Sequence, residues 1–336
     1  MRYRPKSIIY TKMMTYCATG ANGYVGSWLV KSLLGYLPPL TAKSQYFQTK
    51  WRGNERLRLF RVDLQGDGSF DDAIKGYDGV FHIAASMEFD ISPNHVNLGT
   101  TYVQGKVIDP AIKGVRNVLG SCLKSKSVKR VVFTSSISTL TSKDENERWR
   151  SIVGETCKIP IDRVLKTKAS GWICTLCERQ IYVLPKLISE EESFRYEKER
   201  GLDLPSSSLS PITGARLFAI LSAVNKRMGS IGLVHVQDIC IAHLFLMEEP
   251  KAEGQYICCV DNIYMHDLLL NHTFTKNFTR LFSVYRVDDD LEERPGLMKP
   301  MISSKKLRKL GFQYKYGIEG IIHQQLMLLS ILGFLP

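Results

Sequence analysis

Short apolar runs alternate with longer stretches of helical periodicity along most of the sequence. The runs at Tyr16–Ala18, Gly79–Ile83 and Val131–Phe133 are almost continuously apolar, which indicates strands buried on both faces. Between the last two runs, Tyr102–Ser125 repeats apolar residues every three or four positions, which predicts a long amphipathic helix. Strands that alternate with helices on this scale predict an α/β fold, specifically a Rossmann-type doubly wound parallel sheet.

Weaker patterns continue this alternation. Leu57–Val62 alternates apolar and basic residues and predicts a strand, and Ser69 is the predicted N-cap of a short helix through Lys75. Later elements are predicted as a strand over Lys129–Ser136, a helical run from Tyr182 to Arg200, a helix to Met247 that Asp238 caps, and a strand over Gly254–Val260. Leu202–Pro211 is rich in serine and proline and is predicted to contain no strand.

A glycine-rich turn joins the first predicted strand to the first predicted helix. Gly20, Gly23 and Gly26 follow the apolar run directly, and the helix-forming segment Ser27–Leu34 comes next. Such glycines permit a sharp turn, the approach of backbone amides to a pyrophosphate, and close packing of helix on strand. The anion would lie at the positive end of the helix. The spacing is GxxGxxG, and a plain strand–helix turn would satisfy such a triplet equally well.

This turn and the order of the elements predict two units. Residues 12–200 are expected to form an NAD(P)-binding Rossmann domain, from which the charged, irregular segment 143–168 departs as an excursion. Residues 201–336 are expected to form a smaller C-terminal substrate lobe, with 231–260 packing back on the Rossmann core. A chain of 336 residues is long enough for both units.

The charge of the chain narrows the class of partner. The formal net charge is +12, but the basic residues form short patches typical of solvated helix faces, so we predict no nucleic-acid partner. An anionic cofactor or substrate fits the charge as well. No carboxylate lies between Gly26 and Glu55, where an NAD site places the acid that binds the adenosine ribose. The sequence therefore favours NADP, with a basic neighbour such as Lys43.

The eight cysteines and the apolar segments bear on the compartment. Several cysteines lie inside apolar runs, as reduced core residues of a cytoplasmic protein do, and the pair Cys174 and Cys177 lacks further ligands for zinc. We expect no signal peptide over Met1–Thr15 and no membrane span, because the apolar tail Leu326–Pro336 is much shorter than a span. The sequence predicts a soluble, cytoplasmic monomer or weak homo-oligomer.

Three polar residues could support reduction of a carbonyl group. Tyr182 and Lys186 are four positions apart, hence on one face of a helix, where the lysine charge would lower the pKa of the tyrosine and favour proton donation. Ser136, or its neighbour Ser135, ends a predicted strand and would orient the substrate oxygen. Each residue also has a structural interpretation: a chance pair, a helix cap or turn and, for His82 in its apolar strand, a core histidine.

The order of these motifs resembles the extended short-chain dehydrogenase/reductases, specifically the plant dihydroflavonol reductase and anthocyanidin reductase group. The segment Thr19–Lys31 is similar to the group's TGxxGxxGSWLVK start, and Asp67–Ala84 and Val128–Ser136 are similar to two further conserved segments of the group. Tyr256–Cys259 and Ile302–Glu319 resemble the anthocyanidin reductase branch. The resemblance covers nearly the whole chain.

The resemblance implies an NADPH-dependent reductase of a flavonoid-like or phenolic carbonyl compound. It implies that Ser136, Tyr182 and Lys186 are catalytic, and that the last two also bind the cofactor. It implies these further cofactor-binding residues: Gly20, Ala21, Asn22, Gly23, Tyr24 and Val25 at the pyrophosphate, Asp63 and Leu64 at the adenine, and Ile83, Ala84 and Ala85 on the nicotinamide side.

The chain also departs from this family in three places. The family's second strand is missing from Gly35–Lys43, Cys174–Ile181 is an apparent insertion before Tyr182, and a strand with its loop is expected to be absent from Leu204–Ser210. The alternative function is therefore a catalytically impaired protein of the reductase fold that at most binds a nucleotide.

Overall fold

A five-stranded parallel sheet forms the centre of the protein. The computed structural model describes residues 14–35, 55–85, 104–162, 183–203, 206–209, 229–264, 300–321 and 323–324. The strands are β1 (Tyr16–Thr19), β2 (Gly79–His82), β3 (Arg130–Ser136), β5 (Ser206–Leu209) and β7 (Gln255–Ile257), in the order β1-β2-β3-β5-β7. Cys17 pairs with Val80, and Val80 pairs with Val131, so the three apolar runs are adjacent parallel strands as predicted.

Helices cover both faces of this sheet. Helices α1 (Tyr24–Leu33) and α5 (Val236–Glu248) contact each other on one face, and α2 (Asp71–Ile74), α3 (Asp109–Ser125) and α4 (Val183–Arg200) share the other. Phe81 packs with α1 and α5, whereas its neighbour Val80 packs with α2 and α3, because successive strand side chains point to opposite faces. Both faces are apolar and covered, which confirms the predicted doubly wound α/β fold.

Short elements lie beside the central sheet. The two-residue strands β4 (Ile152–Val153) and β9 (Met301–Ile302) pair in parallel, and β6 (Ile231–Leu233) pairs antiparallel with β8 (Asp261–Ile263). A π turn precedes α3 over Gln104–Ile108, a 3₁₀ turn follows β3 over Ile137–Thr139, and the helix α6 spans Lys305–Lys309. The 143–168 excursion is thus partly ordered by pairing with the C-terminal region. The domain boundary at residue 200 stays a prediction.

The predicted strand over Leu57–Val62 is wrong. The segment forms no ladder with β1, and the side chains of Leu59 and Phe60 are 55% and 44% exposed. This segment and β1 line the same cavity, of about 160 Å³. Alternating polarity alone does not make a strand when no neighbour supplies its hydrogen bonds. The family's second strand is missing from Gly35–Lys43 in the sequence, and the residues of this segment after Gly35 lie outside the described residues.

The predicted absence of a strand at Leu202–Pro211 is also wrong. Strand β5 lies inside the sheet, between β3 and β7: Ser207 pairs with Thr134 on one side and with Tyr256 on the other. The serine-rich sequence has low strand propensity, but two parallel neighbours satisfy its backbone groups. The expected deletion of this wall of the site therefore does not stand.

Two predicted helix caps differ from those observed. Helix α2 begins after Phe70, and the hydroxyl of Ser69 instead accepts a hydrogen bond from the amide of Asp63 at 2.8 Å. Helix α5 is capped by His235, whose Nδ1 accepts from the amide of Gln237 at 3.1 Å. Asp238, the predicted cap, accepts hydrogen bonds from two C-terminal backbone amides, at Lys315 and Tyr316. Each predicted capping side chain therefore bonds to backbone outside its helix: Ser69 to Asp63, six positions earlier, and Asp238 to Lys315 and Tyr316.

The guanidinium of Arg130 ties the start of β3 to two other elements. It donates to a carboxylate oxygen of Asp203 at 2.7 Å and to the carbonyl oxygens of Leu246 at 2.9 Å, Glu249 and Pro250 at 3.4 Å, near the end of α5. These carbonyls have no intrahelical partner, because they lie in or beyond the last turn of the helix. Arg130 therefore joins β3, the segment before β5, and α5.

Replacing Arg130 by leucine is expected to lower the free energy of unfolding by about 3 kcal/mol, since several buried acceptors lose their donor. Urea denaturation followed by circular dichroism measures the change. Lys124→Met is the matched control: its ion pair with Asp71 is on the surface, with 66% of the lysine side chain exposed, and we expect a loss below about 1 kcal/mol. Equal losses in the two variants would contradict the role given to Arg130.

Candidate active site

The glycine turn after β1 has the geometry that its sequence predicts. Gly20 has a φ of +69°, and the amide of Gly23 donates to the Gly20 carbonyl oxygen at 2.9 Å, which closes the turn. A Cβ atom added to Gly26 would lie 2.1 Å from that same carbonyl oxygen. Helix α1 can therefore start directly against the turn only because position 26 has no side chain.

The first turn of α1 fits an anionic group. Its N-cap is Gly23, no side chain caps its amides, and it contains no acidic residue. Asn22 and Gly23 are exposed at the tip of the turn, whereas Val25 is buried in the core beside α5. The free amides and the positive end of the helix dipole suit a pyrophosphate. Val25 could contribute only through its backbone.

Thr19 joins the ends of β1 and β2. Its hydroxyl oxygen accepts from the amides of Ile83 at 3.1 Å and Ala84 at 3.0 Å, which leaves its one hydrogen for Nδ1 of His82 at 3.0 Å. A Cβ on Gly20 would come within 2.9 Å of the Ala84 amide nitrogen, so the glycine turn and Ile83–Ala85 are in contact. The structure thus brings together the residues predicted at the pyrophosphate and on the nicotinamide side.

His82 is a core histidine, which is the structural interpretation that the sequence allowed for it. Its side chain is 1% exposed, and burial, assisted by the nearby charge of Lys186, lowers its pKa to about 3. The imidazole is therefore neutral, with its hydrogen on Nε2 and its Nδ1 accepting from Thr19. It holds the strand ends in place.

The predicted adenine-side residues lie in a loop packed on α3. Asn117 donates to the carbonyl oxygen of Leu64 at 2.7 Å, and Oδ1 of Asp63 accepts from the amide of Gln65 at 2.9 Å. Asp63 itself is exposed, and the preceding Val62 lines the cavity shared with Thr19 and Ala21. The loop is fixed in position from α3, and the carboxylate of Asp63 remains accessible. Its contact with adenine stays a prediction.

Lys186 and Ser136 are both described, and both connect to the end of β3. Lys186 is on α4, 5% exposed, and its ammonium donates to the carbonyl oxygen of Thr134 at 3.2 Å. Burial lowers the pKa of Lys186 to about 8, although the charge of Glu190 opposes this effect. Ser136 is 2% exposed, and its hydroxyl accepts from the amide of Ser138 at 3.2 Å.

Tyr182 directly precedes the described start of α4 and lies outside the described residues, as does the apparent insertion Cys174–Ile181. Pro185 lies within the described helix α4, which continues without a break from Val183 to Arg200. Proline between Tyr182 and Lys186 therefore does not disrupt the helix that carries the lysine. The position of the tyrosine hydroxyl stays a prediction.

Comparison with known proteins identifies the family. Residues 17–156 match the NAD dependent epimerase/dehydratase family. The chain is 35% identical to a putative anthocyanidin reductase of Ginkgo biloba, and the match covers 96% of each chain. The chain belongs to the NAD dependent epimerase/dehydratase family. It is 31% identical to the dihydroflavonol 4-reductase of Arabidopsis thaliana, with 96% of this chain and 84% of that protein covered.

Solved structures agree with the fold assignment. The structure of vestitone reductase from alfalfa superposes with a TM-score of 0.66 at 24% identity, covering 95% of this chain and 99% of that one. A yeast methylglyoxal/isovaleraldehyde reductase complexed with NADPH superposes with a TM-score of 0.64 at 18% identity, covering 95% and 99%. The predicted family, a dihydroflavonol and anthocyanidin reductase-like group of NAD(P)-dependent oxidoreductases, is confirmed.

Sequence analysis missed three residues that organise the site. Thr19 joins two strand ends, Asn117 fixes the adenine-side loop, and Glu190 contacts the residues around Ser136. Their hydrogen-bond partners are 51 to 65 positions away along the chain. The sequence shows that a carboxylate lies one helical turn after Lys186, but it does not show that this carboxylate is buried.

Proposed function

We propose that the chain reduces a carbonyl group of a flavonoid-like compound with NADPH as the hydride donor. The observation that carries the proposal is the contact between the glycine turn and the end of β2, with Lys186 buried at the end of the next strand, β3. Relatives that match most of the chain are named as reductases of dihydroflavonols or anthocyanidins. These names support the same substrate class here.

The proposed mechanism assigns each step to a residue of this chain. The amides of Gly20–Val25 would hold the pyrophosphate, and Ile83–Ala85 would border the nicotinamide, which would supply the hydride when bound. Tyr182 donates a proton to the substrate oxygen as the hydride reaches carbon. Lys186 stabilises the deprotonated tyrosine through its charge, and Ser136 orients the oxygen.

NADP is proposed over NAD on the same grounds as before: no acid lies between Gly26 and Glu55 to bind a free ribose hydroxyl. The cofactor is thus expected to carry the 2′-phosphate.

We further propose a cytoplasmic monomer or weak homo-oligomer. The six cysteines in the described part of the chain are free thiols, which is consistent with a reducing compartment.

A second function is favoured by one observation. Ser136 is 2% exposed, so a substrate oxygen could reach its hydroxyl only if the residues around it moved. If it cannot, the chain is a reductase-fold protein that binds the nucleotide without turning over substrate. Binding and turnover must therefore be measured separately.

The test is a fluorescence titration with NADPH and NADH, followed by assays of cofactor oxidation with a dihydroflavonol and with an anthocyanidin. We expect NADPH to bind about ten-fold more tightly than NADH, a difference of about 1.4 kcal/mol. Oxidation of NADPH that depends on either compound supports the reductase. Binding without oxidation supports the second function, and absence of binding at millimolar NADPH contradicts both.

A further inference from the structure

Glu190 is a fully buried carboxylate beside the candidate site. It lies on α4 one helical turn after Lys186 and has no exposed surface. One of its oxygens, Oε2, accepts three hydrogen bonds. The donors are the hydroxyl of Ser135, the hydroxyl of Thr139 at 3.1 Å and the side-chain Nε2 of Gln255 at 3.2 Å. Near the other oxygen, Oε1, lies the ammonium of Lys158 at 3.0 Å.

These contacts connect four parts of the structure to α4. Ser135 is on β3, Thr139 ends the 3₁₀ turn after it, Gln255 is on β7, and Lys158 belongs to the 143–168 excursion. A charged group is retained in a protein interior only when partners replace its hydration. The partners of Glu190 converge from all these elements, so the carboxylate fixes their relative positions.

Ser136 lies between the two hydroxyl donors. Ser135 directly precedes it, and Thr139 ends the turn in which Ser136 accepts from the amide of Ser138. The single hydroxyl hydrogen of Thr139 is shared between the Ser136 carbonyl oxygen at 2.8 Å and the Glu190 carboxylate at 3.1 Å. Glu190 therefore contacts the hydroxyls of Ser135 and Thr139, one on each side of the residue proposed to orient the substrate oxygen.

Glu190 also faces the charge of Lys186. The groups around that ammonium are the Thr134 carbonyl oxygen, the neutral His82 and the carboxylate of Glu190. Lys158 and Glu191 are the further charged groups near the carboxylate, from the excursion and from α4 itself. Burial lowers the pKa of Lys186 to about 8 and Glu190 counteracts this, so removing the carboxylate charge would make the ammonium lose its proton more easily.

We propose that Glu190 is a positioning residue of the reductase site, which fixes the turn carrying Ser136 and acts on Lys186 from one helical turn away on α4. The proposal rests on the proposed function for its link to catalysis. Glu190 touches neither the cofactor nor the substrate and acts through these two residues. Its neighbours on β3, β7 and the excursion make it a junction between the Rossmann sheet and the substrate side.

Glu190→Gln tests the charge and keeps an acceptor oxygen for Ser135 and Thr139. In protein labelled with ¹³C-lysine, the signal of Lys186, assigned by its loss in Lys186→Met, is expected to titrate about one pH unit lower in Glu190→Gln than in the unchanged protein. Glu191→Gln is the matched control: it removes an exposed carboxylate from the next position of the same helix, and we expect no such change. This measurement needs no substrate, so it is independent of the proposed function.

Turnover gives the second readout. With the pKa of Lys186 near 8, a decrease of one unit reduces the protonated fraction at pH 8 about five-fold and at pH 6 hardly at all. We therefore expect kcat of Glu190→Gln to fall about five-fold at pH 8 and to recover at pH 6, with KM for NADPH unchanged. An unshifted Lys186 signal, or an equal loss of kcat at both pH values, would overturn the proposal. A shifted Lys186 signal in a protein that turns over no substrate would mean that the proposed function fails and the charge coupling stands.

Discussion

Tyr182→Phe is expected to lower kcat by about 10²- to 10⁴-fold, the contribution of a positioned general acid. NADPH affinity should change little, because the glycine turn and Ile83–Ala85 supply the main cofactor contacts in the proposed mechanism. Lys186, four positions after the tyrosine, is on α4. Its hydrogen bond to the Thr134 carbonyl oxygen fixes its position. Single-turnover NADPH oxidation separates the chemical step from binding.

Tyr196→Phe is the control for this variant. Tyr196 is on the same helix, half-buried against α3, and its hydroxyl would be 3.6 Å from a Cβ on Gly120, far from the end of β3 that carries Ser136. Its kcat is expected to equal that of the unchanged protein. Undiminished turnover in Tyr182→Phe would remove Tyr182 from the mechanism, and an equal loss in both variants would indicate a folding defect of α4.

The sequence predicted the central sheet because strands buried on both faces leave a strong local pattern. The runs that became β1, β2 and β3 are apolar at nearly every position, and each pairs with the next in parallel register. Turns that require glycine are equally visible, since the absence of a Cβ atom is itself a residue type. The turn at Gly20–Gly26 was therefore predictable in conformation as well as in place.

Local pattern did not predict β5 or the fate of Leu57–Val62. Ser206–Leu209 has the composition of a loop, and the free backbone groups of β3 and β7 on its two sides make it a strand. Leu57–Val62 has the composition of a strand, and no described neighbour pairs with it. In both cases, hydrogen-bond partners far along the chain determine whether the segment forms a strand. Their effect is larger than that of the strand propensity of its residues.

The same reason explains the residues missed at the site. Serine and lysine at a strand end or on a helix face can be proposed from their chemistry, as Ser136 and Lys186 were. The roles of Thr19 and Glu190 exist only once β2, β3 and β7 are placed beside one another. A polar residue in an apolar segment signals a constraint, and the partner that defines the constraint is supplied by the fold.

Gly26→Ala is expected to lower the free energy of unfolding by about 3 kcal/mol, the upper end of the overpacking range. The added Cβ would lie 2.1 Å from the carbonyl oxygen of Gly20 and 2.8 Å from its carbonyl carbon, and both atoms are backbone. Relief requires the turn to move away from α1, which misplaces the amides proposed to bind the pyrophosphate. NADPH affinity should therefore fall at least about ten-fold, about 1.4 kcal/mol, in the fluorescence titration.

Gly120→Ala is the matched comparison. It is the same substitution, also in a helix, but we expect it to raise the free energy of unfolding. Gly120 is inside α3, and its added Cβ would meet only the Tyr196 hydroxyl at 3.6 Å, an ordinary contact. Alanine is favoured over glycine within a helix by about 1 kcal/mol, so Gly120→Ala should stabilise the protein and leave NADPH affinity unchanged. If Gly26→Ala also stabilised the protein, α1 would not be packed against the Gly20 carbonyl, and the turn would lose its assignment as the pyrophosphate site.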